Sequence, residues 1–440
     1  MAEFSKPSST AEFDSNFEQI KPNMTSNQAH YESSRCLFCY DAPCINACPT
    51  NIDIPLFIKQ IHSGNTLGAA KTIFESNYFG NSCGKVCPTE VLCEGACVYN
   101  NQVVKPIEIG RLQSFATQKA VSENRVFFEP GPSVGKKVAI IGAGPAGIAC
   151  AAELRRAGVE VDVFEAKEKP SGLTVYGVAP YKITNEEVLD EMAWLQNQLG
   201  FMVHYNHPIS TSETIAELES RYDGIFLGVG LGSTSTLGIP GEEKGNVLGA
   251  VELVERLRME KHKVQIGGKV IVLGGGNTAM DAASEAARMG AEEVILAYRR
   301  GKEEMGAYHF EYDLAKSVGV QGVFNVAPLE IVGNGKATGV RFVRTKVENG
   351  KVVEIAGSEF IETCDFVIKA TGQSKRKSFL SAISGLELDG AGRIKVGKGG
   401  QTTNPKYYAA GDAVSGGQEV VNAVADGKKA AKAMVANLLS

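Results

Sequence analysis

Lys137-Val-Ala-Ile-Ile-Gly-Ala-Gly-Pro-Ala-Gly147 is a short apolar run that turns through three glycines into an alanine-rich stretch ending near Ala157. The order predicts a buried strand over 138–141, a tight turn and a helix. A dinucleotide pyrophosphate requires that arrangement. The first glycine permits the turn, the second lets a phosphate approach the backbone, and the third lets helix and strand pack closely. Gly142, Gly144 and Gly147 occupy those three places, and Pro145 and Ala146 open the helix. A second strand, 159–164, ends at Glu165, where a carboxylate can accept hydrogen bonds from ribose hydroxyls.

The same order recurs 132 residues later, Gly142 to Gly274. A strand over 269–273 leads into Gly274-Gly-Gly-Asn-Thr-Ala279, a helix runs to Met289, and a strand covers 294–298. Gly274, Gly276 and Ala279 keep the pattern with alanine in the third place, and Asn277 and Thr278 lie between them. No acid ends the last strand. Tyr298-Arg-Arg300 stands there, and Arg299 and Arg300 can grip a 2′-phosphate, which favours NADPH over NADH. Glu303 and Glu304 follow closely and act against that preference. An internal repeat of strand, glycine turn, helix and strand implies two dinucleotide-binding domains.

Upstream of the first module the texture is different. Ten cysteines are present, and eight lie between Cys36 and Cys97. They form Cys36-x2-Cys39-x4-Cys44-x3-Cys48-Pro49 and Cys83-x3-Cys87-x5-Cys93-x3-Cys97. Such crowding at one end of a 440-residue chain reads as cluster ligation rather than as a disulfide scaffold. Eight thiols are enough for two [4Fe–4S] clusters, and structural zinc is the alternative. Apolar residues at helical spacing predict helices over 54–61, 66–74 and 109–121. Residues 1–30 are polar and without periodicity and read as a tail, an extended arm lying on a neighbouring surface. Glu129 to Gly135, rich in Pro and Gly, reads as a linker.

Net charge is −5, and 43% of residues are hydrophobic, so a disordered chain or a general nucleic-acid or acidic-membrane binder is not expected. The longest uncharged apolar run, 138–152, is too short to span a bilayer and is broken by three glycines. The first 25 residues lack a signal-peptide core, so a cytoplasmic protein is expected. No metalloprotease, phosphate-loop or Ser–His–Asp signature occurs, and no catalytic residue is assigned.

Near the C-terminus, Tyr408-Ala-Ala-Gly-Asp412 resembles the second flavin motif of disulfide-reductase-like flavoproteins, which implies that Gly411 and Asp412 hold FAD. The helix after it, expected over 418–438, would turn its positive end to the flavin. Ala370-Thr-Gly372 and Leu227-Gly-Val-Gly230 resemble the crossover segments of such proteins. The expected architecture is α/β. A helical iron–sulfur domain, 31–130, precedes an FAD domain, 136–245 and 370–440, split by an inserted NAD(P)H domain, 246–369. Gly172 and Leu173 open a segment, 172–182, expected near the isoalloxazine.

Taken together, the cysteine field and the three nucleotide motifs resemble the glutamate synthase small subunit superfamily over residues 33–439. Asp41-Ala-Pro-Cys44, Cys48-Pro-Thr-Asn-Ile-Asp53 and Pro106 to Gln113 look more like its dihydropyrimidine dehydrogenase branch, although Val178 to Ile183 departs from the usual sequence of relatives. That resemblance implies one cluster on Cys36, Cys39, Cys44 and Cys97. It implies a second on Cys48, Cys87, Cys93 and Gln113, with Cys83 left as a non-ligand. It implies hydride transfer from NAD(P)H to FAD and single-electron exit through the clusters. The residues up to Ser440 contain no FMN barrel, so the pyrimidine chemistry is expected on a partner subunit that carries FMN. The alternatives are a glutamate synthase large subunit as partner, or a sulfide- or ferredoxin-linked oxidoreductase.

Overall fold

A computed structural model describes residues 4–440, which divide into two compact units. The larger comprises Ile20–Val175, Lys182–Leu231 and Lys375–Ser440. Its centre is a five-stranded parallel sheet in the order Tyr407–Ala409, Gly224–Leu227, Lys137–Ile141, Glu160–Phe164, Met202–His204. Val138 and Ile140 are fully buried, as a strand covered on both faces requires. The helix Pro145–Arg156 follows the first strand, and the C-terminal helix Val420–Leu438 packs across it. Contact there is backbone-close: a Cβ on Gly427 would lie 2.3 Å from the Ala146 carbonyl oxygen.

The cysteine-rich helices belong to this unit and share its core. Ser26–Ser34, Ile54–His62, Thr66–Ser76, Gly80–Val86 and Ile109–Ser122 are helical. Asp53 and Asn65 cap two of them by accepting from the Leu56 and Gly68 amides. Phe57, Ile73 and Phe74 belong to the same buried cluster as Ile148 and Met434. Phe74 lies 4.3 Å, centroid to centroid, from Trp194 of the helix Asn185–Leu199. Lys428 of the C-terminal helix donates to the Glu75 and Ser76 carbonyls, completing the C-terminal end of Thr66–Ser76. Glu129 to Gly135, expected as a linker, lies within this unit.

The second unit comprises residues up to Gln19, Tyr176–Tyr181 and Gly232–Ser374. Its five-stranded parallel sheet runs Val247–Gly249, Phe366–Lys369, Lys269–Leu273, Glu293–Tyr298, Gln321–Phe324. An antiparallel sheet formed by Val326–Val332, Gly339–Glu348, Lys351–Glu354 and Phe360–Thr363 is added to it. The unit starts earlier than the expected 246 and ends later than 369. The reason is a pairing of the stretches that adjoin the two crossover segments: Thr234 bridges Gln373, Ser235 N–H donates to Gly372 O, and Glu252 accepts from the Thr234 amide and hydroxyl.

The expected tail, 1–30, is also corrected, with residues 1–3 outside the described residues. Thr10–Asn16 is a helix capped by Ser9, and Phe13 and Phe17 are buried in the second unit's core beside Tyr181 and Met280. Asn16 donates to the Arg288 carbonyl and accepts from its guanidinium. Residues from Ile20 onward belong to the first unit, where Thr25 and Gln28 form a capping box for Ser26–Ser34. No helix among the described residues is long and apolar enough to cross a membrane.

Candidate functional site

At the first glycine turn each glycine has a separate reason. Gly142 has φ +102°, and a Cβ on it would lie 2.4 Å from the Gly228 carbonyl oxygen. On Gly147 a Cβ would lie 2.0 Å from the Gly142 carbonyl oxygen, so helix and strand could not close. Gly144 is different: the nearest atom to a Cβ there is 3.9 Å away, which leaves room at the helix start. No side chain caps that start, and Pro145 supplies no N–H, so the following amides are left for an anion. Glu165 accepts from the Ala143 amide at 2.8 Å and from the Lys167 amide at 2.9 Å. These bonds fix the carboxylate beside the turn, and a carboxylate retains further lone pairs for ribose hydroxyls.

Gly172 lies against the turn, where its Cβ would be 3.1 Å from Gly144 Cα, and Leu173 begins the helix Leu173–Tyr176. Ser171 donates its amide to the Ala143 carbonyl, while its hydroxyl is buried without a hydrogen-bond partner. An orphaned hydroxyl beside a Cβ-free cradle fits a polar ligand. Within segment 172–182, Tyr176–Tyr181 belongs to the second unit, where Tyr181 donates to Asp281 at 2.6 Å. Gly411, with φ +70°, abuts Ala146, so the C-terminal motif reaches the first turn. Burial raises the Asp412 carboxyl, against the lowering influence of the Gln418 amide and Lys375. The last helix begins at Val420, two residues after the expected start, because Gly416 and Gly417 form a turn at positive φ.

Sequence reasoning missed Arg376. Much of it faces solvent, but its Nε donates to the Val229 carbonyl at 2.9 Å. Burial of its head lowers the guanidinium's pKa, and Glu165 pulls the other way. The signal was a Lys375-Arg376 pair just after a crossover segment, but only the fold brings it to Glu165.

At the second turn, a Cβ on Gly274 would lie 2.4 Å from the Ala370 carbonyl oxygen, and one on Gly275 would enter the Tyr298 ring. Gly276 has nothing within 4 Å of its Cβ position, the open place a phosphate needs. Asn277 accepts from the Tyr308 amide and Ala307 donates to the Gly275 carbonyl, so the loop after the arginine pair is tied to the turn. Thr278 is exposed, and Ala279 is fully buried in the core. Arg299 is exposed, and Arg300 carries a buried Nε without a partner. The Glu304 carboxylate accepts from the Gly301 amide of its own turn.

The cysteines gather in two places. Cys36, Cys39, Cys44 and Cys97 line one cavity walled by Ile54, Ile58 and Tyr99. Burial, with Cys36 and Cys97 nearby, pushes the Cys44 thiol up to about 12. Burial likewise raises Cys36, with Cys39 and Cys97 adding to it. Cys87 is raised by a hydrogen bond with Cys83, by burial, and by the proximity of Cys93 and Cys48. Burial raises Cys93 too, and Cys48 lies near it. Thiols that crowd and raise one another in this way are poor nucleophiles but suit a cation that holds them as thiolates. Gln113 is buried on the neighbouring helix and donates its amide to the Gly80 carbonyl at 2.6 Å, which leaves its side-chain oxygen as the acceptor of that amide group. Helix Gly80–Val86 is seated on Glu191, which accepts from the Asn81 and Ser82 amides and the Ser82 hydroxyl. Burial lifts Glu191 to about 7 against those three donors. Cys150 and Cys364 are isolated and buried.

Two family models match the chain. One, described as dihydropyrimidine dehydrogenase domain II, 4Fe-4S cluster, covers residues 13–125. The other, described as pyridine nucleotide-disulphide oxidoreductase, covers residues 136–427. The glutamate synthase [NADPH] small chain of Escherichia coli is 36% identical, over 94% of this chain and 92% of that protein. The NAD-dependent dihydropyrimidine dehydrogenase subunit PreT of Escherichia coli is 35% identical, over 95% and 96%. Among solved structures, Mycobacterium tuberculosis FprA in complex with NADPH aligns with TM-score 0.59 and 21% identity, over 70% of this chain and 85% of that one, a likeness of fold.

Proposed function

We infer the function from one premise: this chain belongs to the pyridine nucleotide-disulphide oxidoreductase family, carries a 4Fe-4S domain of the dihydropyrimidine dehydrogenase type, and is an NAD(P)H-dependent FAD and iron–sulfur oxidoreductase. We propose that it is the electron-input subunit of a hetero-oligomer whose partner reduces uracil or thymine to the 5,6-dihydropyrimidine. FAD, when bound, accepts an electron pair from a nicotinamide and can release single electrons to iron–sulfur clusters. The chain's own residues bind and separate these groups. The first turn, with Glu165 and Asp412, holds FAD; the second holds the nicotinamide nucleotide. Cys36, Cys39, Cys44 and Cys97 take one cluster, and Cys48, Cys87, Cys93 and Gln113 take the other. The observation that carries the pyrimidine branch is Gln113, buried against the helix that ends at Cys87, with its amide oriented by Gly80.

The test is capture of the native complex, assayed with NADPH or NADH plus uracil or thymine, and separately with glutamine plus 2-oxoglutarate. Pyrimidine-dependent oxidation of the nucleotide by the complex, but not by the isolated chain, is the expected result. Glutamate formation would assign the chain to a glutamate synthase instead.

The arginine pair sets the second expected outcome. Replacing Arg299 and Arg300 together by alanine should weaken NADPH by about 10- to 100-fold, the worth of one or two charge-assisted hydrogen bonds. NADH binding should change little. Equal losses for the two nucleotides, measured by flavin bleaching, would deny the pair its role in recognising the 2′-phosphate.

A further inference from the structure

Cys48-Pro49-Thr50-Asn51 is a tight turn closed by the Asn51 amide on the Cys48 carbonyl at 2.8 Å. Proline fixes φ at the second position, and Asn51 leaves the turn with φ +52°. Ile52 beyond it is buried, and Asp53 caps the next helix. Thr50 is thus pinned from both sides. Its hydroxyl oxygen lies 3.3 Å from the Cys48 sulfur.

We propose that Thr50 is a positioning residue that tunes one cluster, by donating its hydroxyl proton in a hydrogen bond to the Cys48 sulfur. The inference rests on the reading that Cys48 holds iron. A thiol and a hydroxyl can each donate to the other, but a metal-bound thiolate only accepts, so the direction is then set. One electron arriving at the cluster adds one negative charge, breaks no bond, and leaves the proton on Thr50. A donor aimed at a ligand sulfur stabilises the more negative state and so raises the reduction potential. Cys36, Cys44 and Cys93 receive backbone donors, from Phe38, Ile45 and Glu94 respectively. Those donors come with the chain path. Thr50 is a side-chain donor, so the contact is a sequence choice and can be removed singly.

The experiment is a redox titration of the full-length, cluster-loaded protein followed by electron paramagnetic resonance, on wild type, Thr50→Val, Thr50→Ala and Thr50→Ser, with iron counted in each. Thr50→Val should keep its iron and lower the midpoint of one cluster alone. The expected drop is about tenfold in the reduction equilibrium, or about 59 mV for one electron. Thr50→Ser should restore the wild-type value. Unchanged midpoints in Thr50→Val, or equal shifts in both clusters, would overturn the proposal. So would loss of iron from both Thr50→Val and Thr50→Ala with retention in Thr50→Ser, since the hydroxyl would then be needed to hold the cluster and not to tune it. Cys48→Ala is measured alongside. If it retained all its iron, the ligand reading itself would fail, an outcome separate from a silent Thr50.

Discussion

Cys44→Ala should yield a yellow protein with about half the iron of wild type, and with electron delivery to the partner reduced by about 100-fold or more. The cavity it shares with Cys36, Cys39 and Cys97 is lined by cysteines from two separate stretches of chain. Removing one leaves three, too few for four irons each needing a protein ligand. Reduction of an artificial dye directly from the flavin should persist near the wild-type rate, because Gly142, Gly147 and Glu165 do not depend on Cys44. Iron analysis beside the two rates decides the matter. Full iron content in Cys44→Ala would remove Cys44 from the ligand set. Loss of dye reduction together with delivery would mean that the substitution had unfolded the shared core.

The second large effect separates two glycines that look alike in sequence. Gly276→Val should fold, bind FAD and keep its clusters, because nothing stands within 4 Å of its Cβ position. Its branched side chain would occupy the place of the pyrophosphate and deny it two or more amide donors. Nucleotide affinity should fall by on the order of 100-fold, about 3 kcal/mol. Gly147→Ala, a smaller change, should do the opposite. Its methyl group would lie 2.0 Å from the Gly142 carbonyl oxygen, an overlap that must push helix and strand apart. Such overpacking costs roughly 1–3 kcal/mol or more, and FAD should be lost on purification. Flavin absorbance and NADPH-driven bleaching distinguish the two. A flavin-free Gly276→Val, or a fully loaded Gly147→Ala, would contradict the assignment of the turns.

Both glycine turns and the strands that feed them were readable in the sequence, because the constraint is local. Within a dozen residues a strand must end, turn and become a helix, and only glycine meets the close approaches at Gly142 and Gly147. Lys269–Leu273 has the bounds its apolar run predicts. Local pattern was less informative where the partner is distant. Phe13 and Phe17 are one helical turn apart, which is a helix signal, but the polar residues around them hid it, and their burial depends on Tyr181 far along the chain. Spacing alone divides the eight cysteines into two consecutive groups of four. The cavity instead draws Cys97 from the second group to Cys36, Cys39 and Cys44, a crossing that only tertiary structure or kinship can suggest. Glu191, which seats the helix before Cys87, is an unremarkable acid in sequence; its two amide donors are assembled by the fold.

The nucleotide unit that includes Gly232–Ser374 is stitched from three stretches of one polypeptide, and the two short ones supply core rather than decoration. Phe13, Phe17, Ala179 and Tyr181 all sit in its interior. A gene trimmed to the contiguous portion would encode a domain with its plugs missing, exposing apolar walls that favour aggregation. Modular swapping of this half between proteins must therefore transplant the leading segment and the Tyr181 peg along with it.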